Sequence, residues 1–146
     1  MLKTIVKGTL LAATAALVLV TGSIQASASD DQIAYRQSLM KGIGGAMGGL
    51  KAVATGKAEM ANGAGWAAAM NAFASVSASA FPAGSAGEKS KAKPEIWSKP
   101  DDFKAALGAF QKAAADLAAG GDFKANFGAL GKTCGGCHKV FRMAAK

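Results

Sequence analysis

Near the end of the chain, Cys134-Gly135-Gly136-Cys137-His138 sets two thiols three residues apart and an imidazole directly after the second. On a helix these three side chains share one face, because residues three and four apart are surface neighbours. Two thiols in that register can each add to one vinyl group of a porphyrin, and the adjacent imidazole can bind its iron. C-x-x-C-H is the attachment signal of c-type haem. The chain holds two cysteines and one histidine in all, and this weighs against the rival chemistries. A thioredoxin-like pair needs a βαβ setting that the surrounding sequence lacks. Tetrahedral zinc needs four ligands, and a disulfide closing so short a loop stabilises little. The expected cofactor is one covalent haem c, with thioethers at Cys134 and Cys137 and His138 as axial iron ligand.

The elements that must position such a group read as helices. Ala, Lys, Leu and Met dominate, and strand alternation and hairpin signals are scarce. The first helix is expected over residues 30–54, with a stripe of Ile33, Met40, Ile43, Met47, Leu50 and Ala54. The second, Ala-rich and without a clear inward face, is expected over 58–80. A loop holding all three prolines follows. The third helix opens at Ser98-Lys99-Pro100-Asp101, with Ser98 as its cap, and stops at Gly120-Gly121. Asp122 caps the fourth, which carries the cysteines. Four amphipathic stretches with mostly short connections predict an all-α protein, an antiparallel four-helix bundle closed around the covalent haem.

Two arginines gain meaning from a porphyrin. Arg36 falls on the inward stripe of the first helix and needs an anion, for which a haem propionate serves, unless its head snorkels to the surface. Arg142 lies one turn past His138, bordering the haem or holding a surface salt bridge. The glycine run Gly42, Gly44, Gly45, Gly48 and Gly49 suggests a bulky neighbour close to the backbone, if it is not mere compositional bias.

The start of the chain reads differently. Lys3 and Lys7 precede an uncharged apolar run from Thr9 to Val20, too short for a comfortable membrane span, and Ala26-Ser27-Ala28 is a small-x-small cleavage pattern. Residues 1–28 are expected to be a cleaved signal peptide. The mature domain is then 29–146, exported to a bacterial periplasm with no stable membrane insertion. Lys+Arg outnumber Asp+Glu by 17 to 9, and by 15 to 9 once the leader's two lysines are gone. Export and the scatter of the lysines exclude nucleic acid as the partner. The mild basic surface suits acidic redox proteins.

This order of features resembles class II c-type cytochromes, the cytochrome c-prime family. The attachment motif is close to the C-terminus, and Tyr35-Arg36-Gln37-Ser38-Leu39-Met40 and Lys93-Pro94-Glu95-Ile96-Trp97-Ser98 are similar to family segments. The likeness spans essentially all of residues 29–146. It implies a bundle that is often a homodimer through its first two helices. It also implies Arg36 beside a propionate, Gln37 at the haem edge, and Met40 facing the iron opposite His138. One branch of the family ligates iron through a methionine there and carries electrons. The other leaves that position open and binds small gases. Ala78 stands where many members carry a bulky aromatic. The reading taken from the sequence is a His138/Met40-ligated carrier of single electrons between periplasmic or membrane-bound redox partners, not an enzyme. The alternative is a five-coordinate binder of nitric oxide or similar gases, with Met40 and Phe81 gating access.

Overall fold

The computed structural model describes residues 21–144, with side chains from Asp30 onward. The basic front and apolar run of the expected leader lie outside the described residues. Five helices follow in order: α1 Thr21–Ala54, α2 Gly63–Val76, the single turn α3 Glu95–Ser98, α4 Pro100–Ala118 and α5 Phe123–Phe141. Short 3₁₀ turns at Met60–Asn62 and Ser77–Ala80 flank α2. No strand occurs among the described residues, only an isolated antiparallel bridge between Ala92 and Arg142. The four long helices form a bundle in which α1 packs on α2 and α5, and α4 on α2 and α5. The four-helix architecture expected from the sequence is the one observed.

Local chemistry sets the helix ends. Asp122 caps α5 as expected, accepting from the Ala125 N–H at 3.0 Å. Gly120 and Gly121 make the preceding turn at φ of 97° and 88°, where a side chain would be strained. Ser98 does not cap the third long helix. It closes α3, and Lys99 is the N-cap of α4, at φ −128° and ψ 62° with no side-chain cap bond. The reason is Pro100, whose ring keeps the preceding residue out of the helical region. Asp101 and Asp102 in the first turn of α4 complement the helix dipole instead. α1 begins at Thr21, upstream of the expected Asp30.

The packed core joins Leu50 of α1, Met70 of α2, Phe110, Ala114 and Leu117 of α4, and Leu130 of α5. Leu50, Met70 and Leu130 are fully buried, each contributing on the order of 1.5–3 kcal/mol. The face of α2 that the sequence left open is Gly63, Ala67, Met70 and Ala74. Its small side chains are matched by large ones at two α1 glycines. A Cβ on Gly49 would lie 2.3 Å from the Trp66 ring, and one on Gly42 2.7 Å from Phe73. Gly44, Gly45 and Gly48 meet no such neighbour, so the expected close approach holds for two of the five. The buried side of α1 is Ile33, Arg36, Leu39, Ala46, Leu50 and Val53. Leu39 and Val53 take places that the stripe assigned to Met40 and Ala54.

Candidate haem site

Met40, Ile43 and Met47 are half-buried and line a cavity, Ile43 and Met47 also packing against the core. The cavity has a volume of about 630 Å³ and opens between α1, the segment 81–92, α4 and α5. Such a volume lies within the range of sites for large organic cofactors. Cys134, Cys137 and His138 line its α5 wall, with Thr133 and Phe141 above and below them. Met40, Ile43, Gly44 and Met47, at helical steps of three and four, form an uncharged stripe on the α1 wall. Leu107 and Phe110 of α4 complete the apolar lining.

The cavity residues fit a covalently bound porphyrin. Both cysteines are free thiols and half-buried on the cavity side. Burial pushes both thiols up from the usual range, which keeps them protonated, and for Cys137 the neighbouring Cys134 adds to the effect. Partial burial holds His138 below the usual histidine range, and the charge of Arg142 lowers it further, so its ring nitrogen is available as a neutral ligand. The charged side chains along the cavity are all cationic: Arg36, Lys41, Lys89, Lys91 and Arg142. That balance suits a ligand with an apolar body and anionic edges.

Arg36 is 4% exposed. Its Nη1 donates to the Ala80 carbonyl at 2.9 Å and to Ser85 Oγ at 3.0 Å. Its Nη2 donates to the Ser85 carbonyl at 2.8 Å and to Ser90 Oγ at 2.9 Å. The guanidinium also stands 5.2 Å from the Phe81 ring centroid and 5.9 Å from that of Trp97. Gln37 Nε2 donates to the Lys89 carbonyl at 2.9 Å. Both residues border the cavity, and both bind segment 81–92, which crosses it as a strap. Trp97 Nε1 holds the strap from the other side through the Pro82 carbonyl at 3.0 Å. Phe81 stacks edge-on against Phe103, and Phe103 against Phe141, with centroids 4.9 and 5.3 Å apart. Ala78 is exposed and does not line the cavity, whereas Ser77 does. The missing aromatic bulk therefore does not open this wall.

The sequence reading missed Ser85 and Ser90, both buried acceptors for Arg36, and the cavity lysines 41, 89 and 91. A buried arginine demands acceptors, and that demand was the one available signal for the serines. No helix among the described residues is long and apolar enough to cross a membrane.

Residues 31–142 match the family model described as cytochrome C'. A cytochrome c' of Pararhodospirillum photometricum is 40% identical over 119 residues, covering 75% of this chain and 94% of that one. A cytochrome c-556 of Agrobacterium tumefaciens is 38% identical over 121 residues, 77% of this chain and 97% of the relative. Among solved structures, a ferrous variant of cytochrome c prime from Alcaligenes xylosoxidans with bound NO superposes with a TM-score of 0.74. It shares 28% identity, over 80% of this chain and 97% of that one.

Proposed function

The chain belongs to the cytochrome c' family, and from that premise we propose that it is a periplasmic haem c protein binding small neutral gases, nitric oxide or carbon monoxide. When bound, the haem iron supplies an open coordination position and a one-electron couple. Cys134 and Cys137 would hold the macrocycle through thioether bonds. His138 offers its neutral imidazole to the iron.

The observation that carries the reading is the uncharged α1 stripe of Met40, Ile43, Gly44 and Met47. A neutral diatomic enters such a space at little desolvation cost. A cation would lose its hydration and meet only cationic side chains in return. The NO-bound relative supports the same choice, in preference to the electron carrier expected from the sequence. One observation favours the carrier: Met40 lines the cavity, and a thioether is a known haem ligand. The exposed Tyr35, Trp66 and Val76 on α1 and α2 support the family's habit of pairing through these helices.

Absorption spectra of the holoprotein with and without carbon monoxide separate the two readings. Gas binding predicts a high-spin ferric spectrum, ready uptake by the ferrous form, and no spectral change in Met40→Ala. A low-spin spectrum indifferent to the gas, converted to the gas-binding kind by Met40→Ala, would overturn the proposal and install the carrier.

A further inference from the structure

Of the glycines at positions 42, 44, 45, 48 and 49 of α1, Gly44 alone lines the cavity. The spaces beside Gly42 and Gly49 are taken by the rings of Phe73 and Trp66. Gly45 and Gly48 are exposed and lie off the cavity. Gly44 belongs to the cavity wall and is exposed as well, and a Cβ there would meet nothing within 4 Å. Glycine is the least favourable helix-interior residue after proline, and no close approach of another side chain accounts for it here.

Its neighbours turn this position into a gap in the rim. Three residues on, Met47 reaches α5, where a Cβ on Gly131 would lie 3.5 Å from Met47 Cε. At that level the two helices close against each other. Three residues back stands Lys41, exposed on the rim. Gln37, Lys89, Lys91 and Arg142, also exposed rim residues, carry long polar or charged side chains that keep water around them. Gly44 presents bare, uncharged backbone. Side chains on a helix tilt toward its N-terminus, so any larger residue at 44 would lean across the step between Lys41 and Gly44 and shut it.

We propose that Gly44 is a specificity-determining position that serves as a portal: the side-chain-free step through which a neutral diatomic reaches the α1 side of the cavity. The proposal deepens the gas-binding reading and takes its ligand from it.

Carbon monoxide association and dissociation rates of the ferrous holoprotein test it, measured in wild type and in a Met40→Ala background. In that background the iron is open whether or not Met40 ligates it in wild type. There Gly44→Leu is expected to slow association about tenfold or more and dissociation by the same factor, because a barrier on one path acts in both directions. Affinity then stays within about twofold of the parent, and intact mass and the ferric spectrum do not change. Gly45→Leu, one residue on and off the cavity, is expected to leave both rates as they were. If intact mass shows that Gly44→Leu carries no covalent haem, Gly44→Ala replaces it, with an expected slowing of about two- to threefold. Unchanged rates overturn the proposal, and so does a fall in affinity without slower dissociation, which would mean lost ligand space and not a blocked path. Equal slowing by Gly45→Leu, or a Met40→Ala protein that takes up no gas, overturns it too. A wild type indifferent to carbon monoxide, beside a Met40→Ala protein whose rates respond to Gly44→Leu, sinks the gas-binding reading and leaves the portal standing.

Discussion

Around Leu50, Met70 and Leu130 the helices touch one another; around Met40 and Cys137 the same helices stand apart. The first region is sealed by apolar contact, with aromatic rings of α2 laid over the α1 glycines at positions 42 and 49. The second is closed by a strap held by hydrogen bonds from buried Arg36, from Gln37 and from Trp97. One bundle therefore uses two kinds of cohesion. Dry packing fixes the frame, and a polar clasp spans the part that must accept a large ligand. A protein that packed both ends alike would have no room for a porphyrin.

Five substitutions sharpen or break that contrast. Leu130→Ala at the packed end is expected to cost about 3 kcal/mol, the middle of the range for emptying a fully buried leucine site. Ile43→Ala on the cavity wall should cost less, about 1–2 kcal/mol in the haem-free chain, because Ile43 packs against the core on one side only and is half-buried. Urea unfolding of both variants reads the difference, and equal costs would erase the distinction. Next in size is Gly49→Ala, where the new methyl runs into Trp66, expected to destabilise by about 1–3 kcal/mol with a shift in tryptophan emission. Gly48→Ala, which meets open space on the same helix, should instead stabilise by about 0.5–1 kcal/mol. The smallest loss is that of the α5 cap: Asp122→Ala should lower the midpoint by about 1 kcal/mol in the same titration.

The packed frame was largely legible in the sequence, since periodic leucines and phenylalanines, Asp122 and the paired glycines each act through neighbours a few residues away. The exceptions follow the same logic. Ser98 looked like a cap, but the conformational limit imposed by Pro100 moved the helix start by one residue. The inward face of α2 was hidden because alanines surround the whole helix, so no periodicity marks Ala67 and Ala74. Met40 and Leu39 were exchanged on the stripe because a residue facing a cofactor and one facing a core carry the same apolar signature. The strap was invisible for a stronger reason. Its acceptors Ser85 and Ser90 lie about fifty residues from Arg36, and nothing local in a Gly-, Ser- and Lys-rich loop says which oxygen will meet a distant cation. At the site, Cys134, Cys137 and His138 could be read directly, while Lys41 and Lys91 could not, because a cavity-facing lysine and a solvated one are written alike.

The bridge between Ala92 and Arg142 ties the strap to the end of the helix that carries Cys134, Cys137 and His138. Its partners lie far apart along the chain, so closing it carries a loop entropy that the packed helices on either side must offset.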